Sequence, residues 1–171
     1  MMPVPGPVSD YLVADHERLD ALLQRATRAP GAIDRDAYGE FRRGLLRHIG
    51  MEEKILLPTA QRLQRGEALP AAARLRLDHG ALAALLVPPP SAAIIGAIRT
   101  ILTGHNRIEE GEGGVYEACE RLAGAEASAL AAELRAAPEV PVSPHVDDPR
   151  VIPATHRALV RAGYDPASLG L

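Results

Sequence analysis

Apolar side chains recur along this chain at intervals of three and four, and strict apolar–polar alternation is scarce. That period belongs to a helix with one buried face, not to a half-buried strand. The spacing predicts a first helix over 9–29, with Ser9 or Asp10 as its cap and Pro30-Gly31 as its stop. A second is predicted over 34–65, capped by Asp34, bent or shortened at Pro58 and closed by Gly66. A third runs over 70–87 between Pro70 and the Pro88-Pro89-Pro90 run. The fourth begins near Ser91 and carries Ile94, Ile98, Ile101 and Ile108 on one face. Gly111, Gly113 and Gly114 predict a break before the pattern resumes at Tyr116 to Leu122. An Ala-rich helical run follows over 125–137.

At Pro138 the character of the chain changes. Residues 138–153 hold Pro138, Pro141, Pro144, Pro149 and Pro153 with little periodicity, and a short helix is expected near 154–162. The first ten residues read as an extended lead-in, and no internal repeat is evident. Four long helices joined by short turns favour an all-α fold. The expected form is an antiparallel up-down-up-down four-helix bundle over 1–137, with a Pro-rich C-terminal extension over 138–171 that can pack on it.

Composition narrows the function. In 171 residues, 47% are hydrophobic and 24% charged, enough for one packed domain. A net charge of −3 and 3% aromatics argue against a nucleic-acid partner, which needs clustered cations or stacking platforms. No run approaches ~20 apolar residues, so no membrane span is expected, and the start lacks a leader pattern. A cytoplasmic protein is the expectation. The single cysteine, Cys119, excludes an internal disulfide and any multi-cysteine metal site, and reads as a small buried hydrophobe.

The histidines carry the chemistry. His16, His48, His79 and His105 fall one per predicted long helix, in the body of each. His16 shares its face with Leu12, Val13 and Leu19, and His79 shares its face with Leu75 and Leu82. His105 sits with Ile101, Leu102 and Ile108. His48 sits with Leu45 and Met51, and also with Gly44, whose missing Cβ can let a neighbouring helix approach closely. Glu52 and Glu109 stand four residues after His48 and His105, so each His–Glu pair projects side by side. A bare carboxylate on an apolar face is costly, and a cation removes the cost. Four imidazoles and two carboxylates without thiolate exceed what one tetrahedral zinc uses. They suit two iron or manganese ions with a bridging oxide or hydroxide, zinc being a further alternative. The ferritin-like Glu-x-x-His pattern is absent, because Leu45 and Leu102 stand three residues before His48 and His105.

The ordered segments Ala14-Asp15-His16-Glu17-Arg18-Leu19, His48 through Glu52-Glu53 to Pro58, Asp78-His79-Gly80-Ala81-Leu82 and Gly104-His105 through Glu109-Glu110 resemble the hemerythrin-like, or HHE cation-binding, domains. The resemblance covers about 10–123 and implies His16, His48, His79 and His105 as terminal ligands, with Glu52 and Glu109 as bridges. Oxygen-carrying members have another His at the place of Ala83 and an Asp at the place of Glu110, so this chain departs from them. It is closer to branches linked to peroxide and nitric oxide stress, repair of iron centres and iron sensing. The implied function is a di-iron protein that binds or turns over peroxide, dioxygen or nitric oxide. The alternative is a non-catalytic iron-binding, storage or sensing module.

Secondary roles follow. Ala83 leaves a gap that an open coordination position can use. Tyr116 lies on roughly the face of Glu109 and can hydrogen-bond near the cluster, although an ordinary core tyrosine is the simpler reading. Glu53 and Glu110 are expected to face solvent or a neighbouring helix, with Glu110 as substitute ligand. Asp20 is a candidate acceptor for His16, or else a surface charge. His145 and His156 lie in the extension, and nothing in their spacing fixes a ligand role.

Overall fold

The computed structural model describes residues 5–171, and among these every regular element is helical. Helices α1 (Pro7–Ala26) and α2 (Arg35–Met51) are followed by a π turn (Glu52–Leu56) and α3 (Leu57–Leu63). Then come α4 (Ala72–Leu85), α5 (Ala92–Glu110), α6 (Val115–Ala123), α7 (Ala127–Arg135) and α8 (Val151–Arg161). The ends differ from expectation by a few residues. The predicted break at the glycines is real, with α5 stopping at Gly111 and α6 starting after Gly114.

Local chemistry explains most boundaries. Asp34 accepts a hydrogen bond from the Ala37 amide, and Ser91 accepts one from the Ile94 amide, as capping requires. The start of α1 is a correction. Neither Ser9 nor Asp10 caps it. Pro7 opens the helix, and the Glu120 carboxylate of α6 accepts from the Val8 and Ser9 amides, both at 3.0 Å. A Cβ at Gly6 would meet the Glu120 carboxylate, so a side chain there would displace this cap. The predicted lead-in is therefore helical from Pro7, and residues 1–4 lie outside the described residues. At Pro58 the helix neither stops nor breaks. Proline cannot donate to the Lys54 carbonyl and its ring crowds that group. The preceding turn opens instead, so that the Leu57 amide reaches the Glu52 carbonyl, five residues back.

The apolar faces gather into two cores. One holds Leu19, Leu23, Phe41, Leu45, Leu82, Leu85, Ile98 and Ile101. The other holds Leu12, Met51, Leu56, Leu75, Val115, Cys119, Leu130 and Leu134. Each of α1, α2, α4 and α5 contributes to both, with its histidine between the two contributions, as in Leu12–His16–Leu19 and Leu75–His79–Leu82. A polar layer is thereby sealed between two oily ones. Where Gly44 of α2 passes α1, a Cβ would sit 2.7 Å from Leu19 Cδ2, so the close approach expected at this glycine is present.

The segment after α7 lies across the bundle. Arg47 donates to the Ala137 and Arg135 carbonyls, Arg42 donates to the Ser143 carbonyl at 2.6 Å, and the Val146 amide donates to the Val87 carbonyl. Helix α8 packs on α4 through the fully buried Leu159.

Candidate metal centre

All six sequence-predicted residues converge in the polar layer. Glu52 and Glu109 are 1% and 0% exposed, and the four histidines are buried around them. Glu52 Oε1 lies 3.2 Å from His48 Nε2, and its Oε2 lies 3.0 Å from His79 Nε2. Glu109 Oε1 lies 2.9 Å from His105 Nε2, and its Oε2 lies 3.3 Å from His16 Nε2. Each carboxylate thus spans two histidine pairs, His16 with His48 and His79 with His105, whose rings lie 4.5 and 4.8 Å apart. Two groups result, His16/His48/Glu52/Glu109 and Glu52/His79/His105/Glu109. The donor atoms within each lie within 4.8 Å of one another.

The outer nitrogens explain the aim of the inner ones. His48 Nδ1 meets Asp15 Oδ2 at 2.7 Å, and His79 Nδ1 meets Glu53 Oε1 at 2.7 Å. His105 Nδ1 meets Asp78 Oδ2 at 3.2 Å, and His16 Nδ1 meets Glu110. A carboxylate accepting from Nδ1–H fixes the tautomer and turns a lone pair on Nε2 inward. Asp15 is itself held by Arg18 at 2.8 Å. Asp78 is held by Arg74 and by the Tyr164 hydroxyl at 2.8 Å.

This outer ring decides between the alternatives left open for Glu53, Glu110 and Asp20, and adds two residues. Glu53 and Glu110 face neighbouring helices, where they orient His79 and His16, and Glu110 is not in either inner group. Asp20 does not serve His16. It accepts from Gln24, because the neighbour one turn along α1 points along the surface while Glu110 arrives from α5. Asp15 and Asp78 were missed as orienting groups. The signal for them is adjacency, since each directly precedes a site histidine while bonding the histidine of another helix. Asp-His followed by His-x-x-x-Glu-Glu therefore occurs twice, over 15–53 and 78–110, with matching partners in both halves. Four glutamates and two aspartates, on three helices and the π turn, form a repeat that the helical periodicity hides.

Tyr116 is also at the centre. Its buried hydroxyl donates to Glu52 Oε1 at 2.6 Å and lies 3.2 Å from Glu109 Oε2. It is not an ordinary core tyrosine. Burial and the two carboxylates hold its proton on well above the usual phenol range. Burial by itself would lower His48 and His105, but Glu52 and Asp15 around the first, and Asp78 and Glu109 around the second, bring both up to about 10. His145 and His156 stay apart from the cluster. His145 stacks on Tyr38 at 6.1 Å. Cys119 is a buried thiol that burial pushes up to about 12, so it is inert at neutral pH.

A cavity of about 260 Å³ reaches His16, His48, Glu52 and His105 between apolar walls that include Leu45, Leu82 and Leu102. Leu82, not Ala83, borders this space.

The residues fit a metal. Glu52 Oε2, His79 Nε2 and Glu109 Oε1 are buried without any hydrogen-bond partner, although each lies within 3.0 Å of another of the six groups. Buried polar atoms are rarely left so, and a cation between them satisfies all three. Nitrogen and oxygen donors without thiolate suit iron. No helix among the described residues is long and apolar enough to cross a membrane. No curated protein and no solved structure matches the chain. A family model for the hemerythrin HHE cation binding domain matches residues 8–135, which span every residue of the inner site and its outer ring except Tyr164. With the doubled His/Glu arrangement inside that span, the chain belongs to the hemerythrin HHE cation-binding family.

Proposed function

We propose that this chain is a non-haem di-iron protein that binds or turns over a small oxidant, namely peroxide, dioxygen or nitric oxide. His16, His48, His79 and His105 serve as terminal ligands and Glu52 and Glu109 as bridges, with an oxide or hydroxide shared between the ions. One observation carries the reading: each of two buried carboxylates offers one oxygen to each of two histidine pairs. Bound iron supplies reversible one-electron chemistry and free coordination positions. The chain does the rest. Asp15, Glu53, Asp78 and Glu110 hold the outer imidazole protons and keep the inner nitrogens free. The cavity admits a molecule of a few heavy atoms past a mainly apolar lining, with Asp20, Arg99, Thr103 and Asn106 among its polar members. The supporting frame is an up-down-up-down bundle over 1–137 with the extension 138–171 strapped to it, in a cytoplasmic protein with neither nucleic acid nor membrane as partner. The alternating passage of α1, α2, α4 and α5 between the two cores supports that topology.

The test is metal analysis with a peroxide assay. Purified protein is expected to hold two irons per chain and to melt at a higher temperature than its chelator-stripped form. Added peroxide should release oxygen, and Glu52→Ala or Glu109→Ala should abolish it. Protein without metal under iron-replete conditions overturns the reading.

A second reading, iron sensing without turnover, is favoured by one contact. Tyr164 of the extension bonds Asp78, which holds His105, so the tail is linked to the centre. Iron-dependent protection of residues 138–171 from proteolysis, without oxygen release, would select it.

A further inference from the structure

The doubled arrangement breaks its symmetry at one residue. Tyr116 follows Glu109 by seven, and the place seven after Glu52 holds Thr59. The Tyr116 hydroxyl lies 3.1 Å from His16 Nε2 and 3.3 Å from His48 Nε2, besides its contacts with Glu52 and Glu109. It therefore touches every member of one group, and its hydrogen bonds reach neither histidine of the other. A phenol has a single proton. Here that proton goes to Glu52 Oε1, the shortest contact. The outer nitrogens of the two imidazoles are taken by Asp15 and Glu110, so only their inner nitrogens face the phenol. One proton cannot serve four neighbours, and a cation placed among the phenol oxygen, the two inner nitrogens and the carboxylates would hold them all.

We propose that Tyr116 is a protein ligand to the cation held by His16 and His48, so that the two metal positions differ, one with a phenolate oxygen and one without. The proposal rests on the di-iron reading above. As the ferric–oxygen bond forms, the O–H bond breaks and its proton leaves to solvent.

The experiment loads metal-free protein with ferrous iron, oxidises it in air, and records iron content, visible absorption and resonance Raman spectra. The expected result is two irons per chain, a phenolate-to-ferric charge-transfer band and enhanced tyrosine ring modes. Tyr116→Phe should lose the band and bind one of its two irons roughly tenfold more weakly. The chain has four tyrosines. The triple variant Tyr11→Phe/Tyr38→Phe/Tyr164→Phe keeps only Tyr116 and must keep the band, which decides the matter even if Tyr116→Phe does not fold. Two bound irons without the band overturn the Tyr116 ligand and leave the di-iron reading standing. No bound iron overturns both.

Discussion

Asp15 and Asp78 each sit beside a site histidine in sequence, yet each spends its carboxylate on the histidine of the next long helix. That choice follows from helix geometry, because adjacent residues are about 100° apart around the axis and face different neighbours. Such outer groups fix the orientation of a ligand without touching the metal. Replacing Asp15 or Asp78 with Ala is expected to weaken iron binding about 10- to 100-fold. Titration against a competing chelator measures this, with circular dichroism to show that the helices persist. An unchanged affinity would mean that packing alone orients His48 and His105. At this scale four of the inner six were named from the local His-x-x-x-Glu spacing, and His16 and His79 from the apolar faces they share. The orienting four were not assigned, because their partners lie 26 to 94 residues away.

Two glycines in helix interiors show how packing between elements decides a sign that propensity cannot. Exchange of Gly for Ala in an exposed helix stabilises by about 0.5–1 kcal/mol, mainly through the unfolded chain. At Gly96 of α5 a methyl group would meet nothing within 4 Å, and Gly96→Ala should raise the melting temperature accordingly. At Gly44 of α2 a methyl group would lie 2.7 Å from buried Leu19 and 3.0 Å from the Arg18 guanidinium. Forced separation of α1 from α2 should cost about 1–3 kcal/mol, so Gly44→Ala should lower the melting temperature. Thermal denaturation of the two variants side by side checks both signs. The sequence marked Gly44 as a place of close approach, but only the packed pair identifies Leu19 as the residue it meets. Pro58 is the converse case. Its backbone defect was legible, while the choice between a stop and an opened turn depended on apolar contacts of Leu56 and Leu57 that keep the helix going.

Across the whole molecule, the extension is held where His145 stacks on Tyr38 near Arg42 of α2. Burial first, then the Arg42 charge, lowers His145 below the ordinary imidazole value. The Leu86, Val87 and Pro88 carbonyls at the end of α4 offset only part of this. A histidine lowered in the fold binds fewer protons there than in the released segment. Its contribution is therefore present above the ordinary value of about 6.5 and is lost as the pH falls below it. Protection factors of amides in 138–150, which allow for the slower intrinsic exchange at lower pH, should fall from pH 7.5 to pH 5.5, and His145→Gln should flatten the difference. Equal protection in the variant at both pH values and in the parent would place the hold elsewhere, in the Arg42–Ser143 and Arg47–Ala137 bonds.

The sequence by itself determined the helices, the faces that carry His16, His48, His79 and His105, and the pairing of His48 with Glu52 and His105 with Glu109. These are consequences of a 3.6-residue period that any short stretch expresses on its own. Only the tertiary structure decided which carboxylate meets which imidazole, that Glu120 of α6 caps α1, that Tyr116 returns after a glycine break to the middle of the site, and that Tyr164 reaches Asp78. Periodicity tells which face of a rod is buried. The rotation and height of one rod against the next come from how their side chains interlock, and that is a property of the packed molecule.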